Sequence, residues 1–295
     1  RHTRYISVTG VQTCALPICT LSGAGAATAD TFTQSGGNIG ISSLTVLTSG
    51  TWTAGTMYGT GTTTNALGAT PDISGTSTKG WNGRTLVNNG TVNWSGGVLQ
   101  AGSAASFTNN GTFNDSASTQ VNNNYGGAAS SFTNAAGATY NKTAAGTTNF
   151  AGNVAFNNAG TVNVDAGNLN LTGGGSSSGA GVFNVAAGAT LEFSGGTFSA
   201  ASGSALAGSG STVVSGATLS VDAGTAALAS LAVSSGTLSG AGTATADTFT
   251  QSGGNIGISS LTVLTSCTWT AGTMNGTGTT TNALDRKSTR PELQS

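Results

Sequence analysis

The chain has few of the residues that usually carry chemistry. Charged residues make up 6% of its 295 residues, and it has one histidine, three prolines and three cysteines. The histidine, His2, lies close to the start, so the body of the chain has no Ser-His-Asp or Cys-His arrangement and no histidine metal site. We therefore expect no catalytic, cofactor-binding or metal-binding residues, and no enzyme activity.

Basic charge is also scarce. Residues 20–284 hold three basic residues, Lys79, Arg84 and Lys142, against seven acidic ones, which gives a net charge of −4. Nucleic-acid binding requires clustered Lys and Arg, and a membrane-spanning helix requires roughly 20 consecutive apolar residues. Neither feature is present, so we expect no nucleic-acid partner and no membrane contact. The few cysteines form no disulfide framework.

The two ends of the chain differ from its body. Residues 1–19 and 285–295 hold five of the eight basic residues and two of the three prolines. Residues 8–18 resemble a translated sequencing adapter, and residues 285–290 resemble the complementary strand. We interpret both ends as artefacts outside the native fold.

A short pattern recurs through residues 20–284. It consists of a Gly corner, then Thr, an apolar residue and usually Asn, as in Thr91-Val92-Asn93 and Thr161-Val162-Asn163. Successive copies begin 19 to 29 residues apart. Alternation with a period of two indicates strands, and a period of this length fits one coil of a stack of parallel strands. The sequence therefore predicts an all-β parallel β-solenoid. An antiparallel β-sandwich is the alternative.

The alternation also predicts which side chains face the core. Apolar positions of the pattern should be buried, and their polar neighbours should face outward. The expected core residues are Val92, Trp94, Val162, Leu191 and Leu219, and the expected outward residues are Asn93, Asn163 and Ser220. Residues 68–86 fit the pattern worst. We expect them to form a protruding loop that carries Lys79 and Arg84 into solvent.

A much longer repeat is nearly exact. Residues 20–67 return as residues 237–284, and only three of the 48 positions differ. We interpret this as a tandem duplication within one continuous solenoid, with an assembly error as the alternative. In a tandem array, further copies of the repeat would stack end to end.

The segments Gly90–Gly97 and Leu238–Gly242 resemble the coils of repetitive bacterial surface proteins, namely autotransporter passengers and filamentous-haemagglutinin-like adhesins. The resemblance implies a right-handed β-helix that is secreted or displayed at the outer membrane. It also implies a structural or adhesive role, in which a stacked Thr and Asn surface binds glycans or a host or biofilm matrix.

Two other functions remain open. A polysaccharide hydrolase or lyase would need Asp165 and Asp222 to share one groove with Lys142 or Arg84, although Asp before Ala-Gly is also a common turn residue. Binding of ice or another crystal through a Thr column would need coils of nearly constant length. Asn-x-Ser/Thr triplets, possible glycan acceptors in a secreted protein, occur at Asn89, Asn93, Asn110, Asn114, Asn141 and Asn170.

Overall fold

The computed structural model describes residues 20–283 and confirms the β-solenoid. These residues form about 11 turns of stacked parallel strands, with no α-helix among them. Every strand pairing in this part of the chain is parallel, so the antiparallel sandwich is wrong. The adapter-like segments, residues 1–19 and 285–295, lie outside the described residues.

The stack contains 25 strands, most of which have three to five residues. In chain order they are β1 Thr20–Tyr58, β2 Thr62–Asn65, β3 Thr70–Ile73, β4 Lys79–Asn82, β5 Thr85–Asn88, β6 Thr91–Trp94, β7 Leu99–Gly102, β8 Ser106–Asn109, β9 Thr112–Asp115, β10 Gln120–Asn122, β11 Ser130–Asn134, β12 Thr139–Lys142, β13 Thr147–Phe150, β14 Val154–Asn158, β15 Thr161–Val164, β16 Asn168–Leu171, β17 Gly175–Ser177, β18 Val182–Val185, β19 Thr190–Phe193, β20 Thr197–Ala200, β21 Ala205–Val214, β22 Thr218–Val221, β23 Thr225–Val233, β24 Thr237–Met274 and β25 Thr279–Asn282.

Each coil contributes one strand to each of three faces. From β5 to β18, every strand pairs with the third strand before it and the third strand after it. The first face contains β2, β5, β8, β11, β14, β17, β20 and β22; the second face contains β3, β6, β9, β12, β15 and β18; the third face contains β4, β7, β10, β13, β16 and β19. The long strands β1, β21, β23 and β24 continue around corners and contribute to more than one face.

The side-chain alternation follows the sequence prediction. Val92, Trp94, Val162, Leu191 and Leu219 are all buried. The predicted outward residues Asn93, Asn163 and Ser220 are half-buried on the outer surface of their strands. Asn-Gly corners stack closely between coils, because a Cβ at Gly90 would lie 2.2 Å from the Ala69 carbonyl oxygen. Glycine is therefore required there for close approach.

Coil length varies along the stack without disturbing strand register. The register partners Thr112 and Thr139 are 27 residues apart, whereas Thr225 and Thr243 are 18 apart. Additional residues lie in turns, such as residues 123–129 between β10 and β11. We refer to residues 85–171 as the wide coils and to residues 218–263 as the narrow coils.

The interior differs between these two regions. Aromatic rings fill the wide coils, where Phe107 stacks on Phe132 and Phe132 on Phe156, with centroids 5.0 and 5.3 Å apart. Phe113 stacks on Tyr140 at 5.5 Å. The narrow coils are filled largely by Leu, Val and Ala. Because both interiors are close-packed and the rings are larger, we infer that the wide coils enclose a broader interior.

The prediction of a protruding loop at residues 68–86 is wrong. Strands β3 and β4 pair with coils on both sides, and Lys79 and Arg84 are fully buried. The Lys79 ammonium donates to the Gly75 and Gly96 carbonyls at 2.9 and 2.7 Å. Arg84 donates to the Thr63 hydroxyl and to the carbonyls of Ile41, Tyr58 and Thr62. Backbone carbonyls and a hydroxyl accept hydrogen bonds from both cations, which explains the burial of Lys79 and Arg84 without a carboxylate.

The duplicated segments lie on different faces. In the first copy, Thr62–Asn65 pairs with β5 on the first face. In the second copy, the equivalent strand Thr279–Asn282 pairs with residues 260–263. The Ser259 hydroxyl, just before residues 260–263, donates to the carbonyls of Ala241 and Gly242. Those two residues directly precede residues 243–246, which belong to the second face. Residues 260–263 therefore continue the second face. One sequence therefore fits two faces, so the faces are nearly equivalent.

Candidate functional site

The most regular feature of the outer surface is a row of amides on the second face. Each Asn side chain donates from Nδ2 to the Oδ1 of the residue one coil earlier, with the row beginning at Asp72. The donor to acceptor pairs are Asn93 to Asp72 at 3.0 Å, Asn114 to Asn93 at 2.9 Å, Asn141 to Asn114 at 2.9 Å, Asn163 to Asn141 at 2.9 Å and Asn184 to Asn163 at 3.1 Å. We call this row the outer asparagine ladder.

The outer ladder keeps hydrogen-bonding capacity for a ligand. An Asn amide has two N–H donors and two acceptor lone pairs, and each ladder bond uses one donor and one acceptor. Within residues 20–283, Asn114 and Asn141 make only ladder bonds. Each amide therefore presents one N–H and one lone pair at the surface, repeated at about 4.8 Å along the axis.

A threonine row runs beside the ladder on the same face. Thr91, Thr112, Thr139 and Thr161 occupy the first position of consecutive strands, in register with one another. The 27-residue coil between Thr112 and Thr139 does not interrupt the row, because its extra residues lie in turns. The second face is thus a regular surface of Thr and Asn.

A second asparagine ladder lies inside the stack, at the end of the first-face strands. Its members are buried, and each donates to the next: Asn65 to Asn88 at 2.5 Å, Asn88 to Asn109 at 2.7 Å, Asn109 to Asn134 at 2.8 Å and Asn134 to Asn158 at 2.9 Å. We call this row the inner asparagine ladder.

The inner ladder has a structural role. The second N–H of Asn88, Asn109 and Asn134 donates to a backbone carbonyl one coil further on, at 2.8 to 3.0 Å. These amides therefore tie the corner between two faces and leave no donor free. The sequence analysis missed this ladder, although Asn recurs two residues after the inward Phe107, Phe132 and Phe156.

The structure does not bring the candidate catalytic acids together. Asp165 follows β15 at the end of the second face, whereas Asp222 follows β22 at the end of the first face, so they lie at different corners. Both are exposed, while Lys142 and Arg84 are buried. Hydrogen bonds from the Ser199 and Ser220 hydroxyls lower the pKa of Asp222, which favours a stable surface carboxylate. The shared groove that an enzyme would need is not formed by these residues.

A buried polar cluster occupies the core of the wide coils. Asp115 accepts hydrogen bonds from the Tyr140 hydroxyl at 2.7 Å and from the Ala117 amide at 2.9 Å. Burial raises the pKa of Asp115, and burial together with the adjacent Asp115 raises the pKa of Tyr140 well above its usual value. Lys142 donates to the Ala144 carbonyl at 2.5 Å, and burial lowers its pKa. The sequence analysis did not identify this cluster.

The Asn-x-Ser/Thr triplets fall largely within these hydrogen-bonded rows. Asn93, Asn114 and Asn141 belong to the outer ladder. Asn110 donates to Asn89 at 2.9 Å, and the Ser194 hydroxyl donates to Asn170 at 2.6 Å. Each of the amides of Asn93, Asn110, Asn114 and Asn141 already donates one N–H within a row. A glycan attached to the amide nitrogen would take the place of the other N–H.

Among residues 20–283 there is no group of His, Cys, Asp or Glu side chains that could hold a metal ion. The same residues include no helix long and apolar enough to cross a membrane. No protein-family model matches the chain, and comparisons with curated proteins and with solved structures found no match.

Proposed function

We propose that the chain is a structural and adhesive rod, a segment of a large secreted or cell-surface repeat protein of the bacterial outer membrane. In this proposal the second face binds a polar polymer with a regular repeat, such as a surface or matrix polysaccharide. The observation that supports the proposal is the outer ladder, which aligns Asn93, Asn114, Asn141, Asn163 and Asn184 in one register.

Affinity in such a system comes from repetition. One exposed amide contributes a weak hydrogen bond, with a net value of about 0.5–1.5 kcal/mol. Several amides along one polymer chain act together, because each contact after the first is effectively intramolecular. A rigid ladder is also ordered before binding, which reduces the entropy lost on association. The inner ladder is buried and offers no such surface.

A pair of variants tests the role of the second face. Asn114 and Asn141 are register partners in the outer ladder, and replacing both with Ala removes two adjacent amides from its centre. The control replaces Thr108 and Thr133 with Ala, since these are register partners on the outer side of the first face. Binding of the full chain to insoluble cellulose, chitin and a panel of bacterial surface polysaccharides is measured by co-sedimentation.

We expect the wild type and the Thr108/Thr133 control to sediment with at least one polymer, and the Asn114/Asn141 variant to lose most of that binding. Circular dichroism and the melting temperature establish that both variants are folded. Equal loss in the two variants, or no binding by the wild type to any polymer, would contradict the proposal.

Ice or another crystal surface is the second candidate ligand. The observation that favours it is the constant register of Thr91, Thr112, Thr139 and Thr161, which persists although coil length changes. Thermal hysteresis and inhibition of ice recrystallisation measure this activity directly. Activity that depends on the Thr row, with no binding to polysaccharide, would favour this candidate over the first.

We also propose that further copies of the repeat stack on this segment end to end. Trp52 is buried, because β3 pairs with residues 49–52 and covers it. Its counterpart Trp269 is 56% exposed and has no coil over it among the described residues. Light scattering at rising protein concentration should show association, and monomeric behaviour throughout would contradict this proposal.

A further inference from the structure

Arg84 occupies a site that is built from the first copy of the duplicated segment. The side chain is fully buried, and its guanidinium donates to uncharged oxygens of that copy. Nε donates to the Thr63 hydroxyl at 2.8 Å, and Nη2 donates to the Thr62 carbonyl at 3.0 Å. Nη1 donates to the Ile41 carbonyl at 2.9 Å and to the Tyr58 carbonyl at 3.4 Å. We call this set of four acceptors the arginine socket.

The second copy contains the same four acceptors. At the equivalent positions they are the carbonyls of Ile258, Asn275 and Thr279 and the hydroxyl of Thr280. Of the positions at which the two copies differ, only the pair Tyr58 and Asn275 belongs to the socket. That position contributes its backbone carbonyl, so the exchange of side chains does not remove an acceptor.

The backbone is also matched around the two sockets. Strand β25 pairs with β24 in the same register in which β2 pairs with β1. A Cβ at Gly61 would clash with the Ile41 carbonyl oxygen, and a Cβ at Gly278 would clash with that of Ile258 in the same way. The acceptors of the second copy are therefore arranged like those that hold Arg84.

The second socket opens into a cavity of about 190 Å³ on the last described coil. Ile258, Gly278 and Thr280 are part of its lining. Gly278 is exposed, whereas its equivalent Gly61 is buried and lies next to Nη1 of Arg84. The second socket is thus accessible to a group that comes from outside the described coils.

The chemistry of the four acceptors suits a guanidinium group. A guanidinium has five N–H donors in a rigid planar fork, whereas an ammonium has three donors around a compact point charge. In the first socket, all three nitrogen atoms of the Arg84 guanidinium donate, each in its own direction. A lysine could not match these directions. Hydrogen bonds from a charged donor are the strong ones, and an unfilled set of acceptors beneath a stacked coil would be costly.

We propose that the second socket is a binding site for a guanidinium group, and that its occupant is the arginine of a further coil equivalent to residues 68–88. The identity of the occupant rests on the proposed end-to-end stacking, whereas the site itself rests on the match between the two copies. Such a socket would select the coil that stacks there, because a coil without the arginine would leave the acceptors buried and unpaired.

A synthetic peptide of residues 68–88 tests the proposal, since in the chain this segment forms the coil over the first copy. The peptide carries a fluorophore, and two control peptides carry Lys or citrulline in place of Arg84. Binding to the full chain is measured by fluorescence anisotropy. Arg286 and Arg290, which lie outside the described residues, are replaced with Ser in every protein used, so that they do not compete.

We expect saturable binding of the Arg84 peptide, and binding at least about tenfold weaker for both control peptides, because hydrogen bonds to a charged group are lost. Thr280→Val removes the hydroxyl acceptor and should weaken binding of the Arg84 peptide by about tenfold. Thr279→Val is the matched control and should leave binding unchanged, because Thr279 contributes its carbonyl. Hydrogen exchange should show that the peptide protects residues 256–282.

The peptide series decides the matter even if Thr280→Val fails to fold. Equal affinity of the Arg84 and citrulline peptides, no binding of the Arg84 peptide, or protection away from residues 256–282 would overturn the guanidinium site. Arginine-dependent binding by a chain that stays monomeric in light scattering would support the site and contradict the stacking of whole copies. The two proposals can therefore fail separately.

Discussion

The wide and narrow coils belong to one stack but use different interiors. In the wide coils, 29 residues separate the register partners Val121 and Phe150, whereas 18 separate Val233 and Gln251 in the narrow coils. The wide coils hold the stacked rings and the centre of the inner asparagine ladder. Toward the narrow coils, the register positions of that ladder are occupied in turn by Ser177, Ala200 and Val221 instead of Asn.

This difference shows that coil length and core composition change together. The wide coils are filled by many rings and have polar links at their corners, whereas the narrow coils are filled by Leu, Val, Ile and Ala with one ring, that of Phe249. Aromatic pairs add about 0.5–1.5 kcal/mol beyond their buried area. We therefore predict that the wide coils are more stable than the narrow coils.

The largest expected effect comes from removing a ring from a wide coil. Phe132 is buried and contacts the rings of Phe107, Phe113, Tyr140 and Phe156. Replacing it with Ala should lower the free energy of unfolding by about 3–5 kcal/mol, because a large cavity would remain. Urea denaturation measures the change. A loss below about 1 kcal/mol would mean that the ring does not determine coil packing.

The reverse change sharpens the comparison. Leu231 is buried in a narrow coil, and replacing it with Phe should cost about 1–3 kcal/mol through overpacking. The matched control replaces Leu169, a buried residue of the wide coils, with Phe, and we expect a smaller loss there. Equal costs at the two positions would contradict the assignment of different interior widths.

The inner asparagine ladder should be costly to interrupt. Replacing Asn109 with Val leaves the Asn134 Oδ1 without its donor and takes from Asn88 one of its acceptors. We expect a loss of about 1–3 kcal/mol in the free energy of unfolding, the usual effect of an unsatisfied buried group. The outer-ladder variant Asn114→Ala is the control, since solvent satisfies the groups that it exposes. Similar losses for both variants would remove the distinction between the ladders.

The smallest effects concern pH, and their signs are opposite. The raised pKa of Asp115 makes its contribution to stability fully present below the ordinary Asp value of about 3.9. That contribution is lost as pH rises through the raised pKa. For Asp222, whose pKa is lowered, the contribution is present above the ordinary value and is lost as pH falls through the lowered pKa.

Melting temperatures measured from acid to neutral pH check both signs. Relative to D115N, the wild type should be progressively less stable as pH rises from the ordinary Asp value. Relative to D222N, the wild type should lose stability only at the acid end of the series. If stability changed with pH in the same direction for both acids, burial would not be what sets the pKa of Asp115.

Much of the fold could be predicted from the sequence, because inward and outward positions alternate in most of the short strands. Val92 and Trp94 are buried, and Asn93 faces outward, as the pattern requires. The outer ladder follows from the same Thr-x-Asn column. What the pattern could not supply is the number of strands in each coil, which decides whether two residues share a corner. For this reason Asp165 and Asp222, which have matching local sequences, could not be placed at different corners in advance.

The burial of Lys79 and Arg84 could not be predicted for a different reason. Charged side chains normally indicate exposure to solvent, and the backbone carbonyls that accept hydrogen bonds from these two residues lie up to 43 positions away in sequence. Alternation places the side chain of Asp115, which follows the outward Asn114, in the core, but the sequence analysis did not single it out. A buried acid is unexpected unless its hydrogen-bond donors, here Tyr140 and Ala117, are known.

Amide hydrogen exchange followed by mass spectrometry tests the central claim most directly. The account predicts that strands β5 to β16 of the wide coils exchange slowest, and that β22 to β24 of the narrow coils exchange faster, although all belong to one parallel stack. Peptides that cover the two asparagine ladders should show the strongest protection. Uniform protection along the stack, or slower exchange in the narrow coils, would contradict the conclusion that rings and buried amides make the wide coils the stable centre of the rod.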